Sequence, residues 1–230
     1  MNVSMTPVLE RLRDQLAAIE TVASATLYGS YVRGEFSGNT SDINLAVVVR
    51  GADLGALTAP LQAAWRAARV DPWIARVDEL AGLVDVFATR VRDIQRRHVM
   101  LVGDDPWVAL SVPRAALRFR IEQELRNHQM RLRHAEVLSD GPGQARQLFV
   151  AAGALRHDLG LIEELAGAPV PDQLDEVAAA AAVRLDLAPA EVRAVLAFGR
   201  RPDSAAGPPL AEATRLLDRA VGFVDAMEVV

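Results

Sequence analysis

Gly29-Ser30 and Asp42-Ile43-Asn44 are the residues of this chain whose types and spacing best suit chemistry. An apolar run ends in Gly29-Ser30, eleven residues intervene, and Asp42-Ile43-Asn44 opens a second apolar run. Glycine lets the backbone approach a phosphate closely. The N–H groups that open the next turn, with the Ser30 hydroxyl, can donate to phosphate oxygens. Positions i and i+2 of a strand point the same way, so Asp42 and Asn44 share a face. Mg²⁺ takes hard oxygen ligands in octahedral geometry, and a two-ion site stabilises both the attacking and the leaving oxygen of a displacement. The pattern therefore predicts a polyphosphate-holding turn beside a metal-holding strand. Asn44 weakens that site, because its amide oxygen can ligate but carries no charge.

The elements that must position these residues are legible in part. Val8, Leu9, Leu12, Leu16 and Ile19 fall at helical spacing over 6–20, opened by Thr6-Pro7. Residues 22–28 read as a buried strand, Ser30 to Glu35 as a short helix, and 38–41 as a loop. Ile43 to Val49 reads as a central strand. A helix over 52–69, an extended piece at Trp73-Ile74-Ala75 and a short helix over Val77 to Val84 follow. Thr89 to Ile94 alternates Val91 against Arg90 and Arg92, an edge-strand pattern. Beyond about residue 112 the apolar spacing is helical. One long helix carries Leu117, Ile121, Leu125, His128, Leu132 and Ala135, and a second carries Leu148, Leu155, Leu159, Ile162 and Leu165. Helices over 172–185 and 189–199, a Pro/Gly-rich linker at 202–209 and a last helix complete the chain. The expectation is an α/β domain over 1–110, a mixed sheet flanked by helices, followed by an all-α helical bundle over 111–230.

Composition narrows the function classes. The chain of 230 residues has no cysteine, which excludes disulfides and Cys-based metal sites. The net charge of −5 argues against a protein that coats nucleic acid, although it leaves room for a local basic patch. All 25 basic residues are arginine, so any cationic phosphate contact uses a planar, bidentate fork. No apolar stretch reaches the roughly 18–20 residues of a membrane span, and the first residues do not read as a secretory signal. These features fit a cytoplasmic protein with no membrane partner.

The order of an apolar strand, Gly29-Ser30, Arg33-Gly34-Glu35, Ser41-Asp42-Ile43 and a second apolar strand resembles the nucleotidyltransferase fold of the DNA polymerase β superfamily. The resemblance covers the N-terminal hundred residues, and the helical remainder is similar to the substrate-side domain of small bacterial members. It implies an NTP bound at Gly29, Ser30 and Arg33, with Mg²⁺ at Asp42 and at position 44, where the family pattern has a second aspartate. It also implies a third acidic residue on a later strand, as metal ligand and base. Asp93 in the strand-like 89–94 segment is preferred, with Asp85 as the alternative. Related sequences tend to carry Glu where this chain has Arg90, which would remove a further carboxylate. Arg33 could instead pair with Glu35 or Asp42, and Arg96, Arg97 and His98 form a basic cluster nearby. Trp65, Trp73 and Trp107 read as core or boundary anchors. Two functions follow from the resemblance. One is Mg²⁺-dependent transfer of a nucleoside monophosphate from an NTP to an acceptor hydroxyl of unspecified identity. The other is a catalytically degenerate member acting as a nucleotide-binding, regulatory or antitoxin-type partner-binding module, its partner a second protein or a second copy of the chain.

Overall fold

Val22–Tyr28 (β1) and Ile43–Val49 (β2) are strands because nearly every residue in them is apolar and both faces are covered. The computed structural model describes residues 5–34, 42–199 and 209–228. Two compact units divide the chain, Met1–Pro113 and Arg114–Val230. In the first unit β1 lies between β2 and His98–Gly103 (β4), antiparallel to both. Val70–Arg76 (β3) runs parallel to β2 at the edge, giving the order β3-β2-β1-β4. The strand is longer than the extended piece expected at 73–75. Pro72 is tolerated in it because an edge strand needs ladder bonds on one side only.

Strand alternation divides the sheet into two layers. Ile43, Leu45, Val47 and Val49 pack with Leu9, Leu12 and Leu16 of Pro7–Ala17 (α1) and with Leu57 and Leu61 of Gly55–Ala68 (α2). Thr6 caps α1 by accepting from the Leu9 N–H at 3.4 Å, and Pro7 opens it with a pre-set φ. Each fully buried leucine here contributes about 1.5–3 kcal/mol. On the other face Tyr28, Ala46, Val48 and Ala75 meet Leu80, Ile94 and Trp107. This layer comes from a 3₁₀ turn at Val77–Glu79 followed by Leu80–Val86 (α3) and Ala88–Arg96 (α4).

The strand expected at 89–94 is therefore a helix. Ala88, Val91 and Ile94 recur every three residues and are fully buried, and this longer period overrides the local alternation of Arg90, Val91 and Arg92. The Gln95 amide fixes the helix by donating to the carbonyls of Trp107 at 2.9 Å and Leu110 at 2.6 Å. The strand falls one step later, in the apolar run that starts at His98.

The second unit contains Arg114–Leu138 (α5), Gly141–Leu165 (α6), Leu174–Leu185 (α7), Pro189–Phe198 (α8) and Leu210–Asp225 (α9). The stripe of α5 from Leu117 to Ala135 is buried as its spacing predicts. The helix also carries ion pairs along its length, the half-buried Arg120–Glu124 at 2.8 Å and Arg126–Glu122 at 2.7 Å. The Asp140 side chain caps α6 by accepting from the Gly143 N–H at 2.9 Å. The linker expected at 202–209 lies outside the described residues except for Pro209. Among the described residues no helix is long and apolar enough to cross a membrane.

One buried acid in this unit sets a pH dependence. Asp158 on α6 is fully buried; that burial, and after it the Glu124 carboxylate, hold its carboxyl well above the usual range, while Arg120 pulls the other way. The folded chain thus keeps a proton that the unfolded chain releases near pH 4. Stability from this group is present in full at low pH and falls as pH rises towards the elevated folded value. Asp158→Asn removes the penalty. We expect it to stabilise the protein at pH 8, in the direction set by the raised Asp158 pKa. The gain should shrink towards zero near pH 4 when urea midpoints of the two forms are compared.

Candidate active site

β1 ends at Gly29 because the chain there takes a φ of +76°, a conformation that suits glycine. Residues 29–34 turn back on themselves, with Arg33 N–H donating to the Gly29 carbonyl at 3.2 Å and Gly34 N–H to that of Tyr31 at 3.2 Å. They form a turn, where a short helix was expected. Glu35 and Ser41 of the motif lie outside the described residues.

Asn44 lies directly against this turn. A Cβ placed on Gly29 would come within 2.4 Å of Asn44 Nδ2, so the glycine leaves the space that the amide fills. Register aligns Tyr28 on β1 and Asp71 on β3 with Asn44, and His98 on β4 with Tyr28. Aligned residues of neighbouring strands share a face. Asp71, Asn44, Tyr28 and His98 thus form a polar row at the sheet end beside the turn, on the same face as Ala46 and Val48. Asp42, two residues before Asn44, precedes the strand, and its Oδ1 accepts from Arg69 Nε at 2.6 Å. Arg69 sits between α2 and β3 with a left-handed φ of 52°, and its guanidinium lies 5.8 Å from the Trp65 ring centre.

α4 closes the other side. Asp93 faces the turn and pairs with Arg33 across 3.0 Å, both half-buried. Of the expected partners of Arg33, Glu35 lies outside the described residues, and Asp42 is paired with Arg69. Asp93 reaches the site from a helix, where a strand was expected. Asp85 lies exposed on α3. His98 is anchored through Nδ1 to the Ile94 carbonyl at 2.7 Å and through Nε2 to Asp105 at 2.9 Å. Burial, above all, pushes the Tyr28 phenol up to about 12; Arg90 opposes this, while Asp93 and Asp71 add to it. At neutral pH Tyr28 is a protonated donor. Among the tryptophans, Trp107 is fully buried and donates to Thr26 Oγ1 at 3.0 Å, Trp73 is half-buried and Trp65 is exposed.

Residues 9–100 match the family model described as the nucleotidyltransferase domain. The N-terminal unit is a nucleotidyltransferase domain. No curated protein matches the chain. Within this domain Asn44 packs against the turn, Asp42 precedes the same strand, and Asp93 meets the turn through Arg33. Sequence reading missed Asp71. Its signal was faint: a lone acid between Val70 and Pro72 at the start of a strand that begins earlier than expected.

The donor chemistry of these residues is that of a hard divalent ion. Asp42 and Asp71 offer carboxylate oxygens and Asn44 an amide oxygen, all suited to Mg²⁺. Among the described residues no group of three or more His, Cys, Asp and Glu is assembled to hold a metal ion.

Proposed function

We propose that the nucleotidyltransferase domain moves a nucleoside monophosphate from an NTP to an acceptor hydroxyl with Mg²⁺. The observation that carries this reading is the packing of Asn44 against Gly29, in one polar row with Asp71. The turn binds the triphosphate through its amide N–H groups and the Ser30 hydroxyl. Arg33, braced by Asp93, adds positive charge beside it. Asp42, Asn44 and Asp71 would hold the ion, which when bound neutralises charge on the reacting phosphate. Asp71 takes the proton of the acceptor hydroxyl. The acceptor oxygen then bonds to the α-phosphorus, the α–β phosphoanhydride bond breaks, and pyrophosphate leaves. We assign the third-acid role to Asp71; Asp93 braces Arg33.

Asn44 and the Arg69–Asp42 pair favour a second reading, nucleotide binding with little or no transfer. Calorimetry with ATP and GTP, with and without Mg²⁺, combined with pyrophosphate release, separates the two. For transfer, we expect Asp71→Asn to lower turnover about a hundredfold, within the usual range for a lost general base, and Asn44→Asp to raise it. Nucleotide binding with no pyrophosphate released by the wild type or Asn44→Asp supports the second reading. If no nucleotide binds either form, both readings are wrong.

Arg69 competes for Asp42. An ion pair this exposed is weak, because water screens it. Arg69→Gln should therefore tighten Mn²⁺ binding by up to about fivefold, read by electron paramagnetic resonance of the free ion. Unchanged Mn²⁺ affinity would remove Asp42 from the ligand set.

A further inference from the structure

Arg90 is exposed on α4, with its guanidinium carbon 5.0 Å from the Trp73 ring centre and 5.8 Å from that of Phe87. The mount is rigid. Trp73 stacks at 5.8 Å on buried Trp107 and meets Phe87 edge-on at 5.6 Å. The Trp107 indole is itself tied to Thr26. A guanidinium seated against aromatic rings at these distances is held in place, and its fork of N–H donors suits a planar or tetrahedral oxyanion.

The place of this cation matters. Trp73 is two residues along β3 from Asp71 and shares its face, so Arg90 borders the acid that receives the acceptor's proton. Arg69 borders the start of the same strand, but its charge is already paired with Asp42. Tyr28 feels the charges of Arg90 and Asp71 together. The acceptor side of the site thus carries fixed positive charge, while the nucleotide side is formed by the turn and Asp42.

Resting on the transfer reading above, we propose that the acceptor is an anion that carries a phosphate beside its reacting hydroxyl, and that Arg90 binds this phosphate. Like charges in apposition select against a polycationic amino sugar. The hydroxyl loses its proton to Asp71 and takes the nucleoside monophosphate as pyrophosphate departs, so the acceptor phosphate itself is unchanged. A small sugar phosphate and the terminal nucleotide of an RNA both offer this chemistry.

The test uses the full chain loaded with a non-hydrolysable NTP analogue and Mg²⁺. Ribose 5-phosphate, a three-nucleotide RNA and a neomycin-type amino sugar are titrated into it calorimetrically. One or both anions should bind, and their relative affinity tells the two sources apart; the amino sugar should not bind. Arg90→Gln should weaken the anion at least tenfold and the NTP analogue less than twofold. Arg90→Lys should fall between, because it keeps the charge without the fork. Near-ultraviolet circular dichroism checks that the tryptophan stack survives in each variant. Equal anion affinity in wild type and Arg90→Gln overturns the proposal. So does preference for the amino sugar, or binding of no probe to the loaded protein. Failure of the NTP analogue to bind the wild type overturns the transfer reading itself, and the proposal with it.

Discussion

Gly29→Ala should destabilise the domain by about 2–5 kcal/mol and weaken nucleotide binding at least a hundredfold. Two costs combine. A side chain at a left-handed φ costs roughly 1–2 kcal/mol, and forcing extra volume into a packed site costs about 1–3 kcal/mol. At Gly29 both apply, with a φ of +76° and a new carbon 2.4 Å from Asn44 Nδ2. Relief requires Asn44 or the turn to move, and either movement separates the phosphate donors from the row that holds Asp71. Gly34 is the control. It has a φ of +73°, but a Cβ added there would meet no heavy atom of the described residues within 4 Å, so Gly34→Ala should show mainly the conformational cost. Equal nucleotide affinities in the two variants, by calorimetry, would mean that contact between turn and strand plays no part in binding.

Arg184→Ala should cost about 3–5 kcal/mol, the usual penalty for leaving a buried charge without its partner. Glu163 on α6 is 5% exposed and receives both sides of the Arg184 fork, at 2.6 and 3.2 Å. The same guanidinium lies 5.6 Å from the Phe223 ring centre, so one side chain of α7 joins α6 to α9. Arg184→Lys should recover only part of the loss, since an ammonium cannot serve both oxygens in that geometry. The double variant Glu163→Leu/Arg184→Met should regain most of it, because no charge then remains to be desolvated. The urea midpoint of helical circular dichroism reads all three. A small effect in Arg184→Ala would mean that water reaches Glu163.

The two central strands and the glycine turn were legible because a single local signal marks each. Val22 to Tyr28 and Ile43 to Val49 are apolar on both faces, and Gly29 interrupts the pattern where only glycine fits well. The neighbours of the site were harder to read. Val70–Arg76 contains Pro72, which argues against a strand unless that strand is at an edge, and the strand order is a tertiary fact. Asp71 was hidden for that reason. Three alternating residues around Val91 imitated a strand inside a helix whose true period appears only when Ala88 and Ile94 are counted. Asp93, which pairs with Arg33, lies 60 positions away, beyond any local pattern. The buried stripes of the long helices were plain from spacing alone, whereas the pairing of Glu163 with Arg184 depends on how α7 returns across α6.

The parallel pairing of β2 with β3 gives the domain uneven tolerance to inserted residues. Asp71 and Trp73 belong to one face, and Val70 and Ile74 to the other. A single residue added in the connection before α2 would be absorbed by loop. The same residue added at 71 or 72 would turn Trp73 towards the leucines of α1 and α2 and strand Arg90 without its aromatic mount. Length variation among natural or laboratory variants should therefore gather between Arg50 and Leu54 and avoid the seven positions of β3.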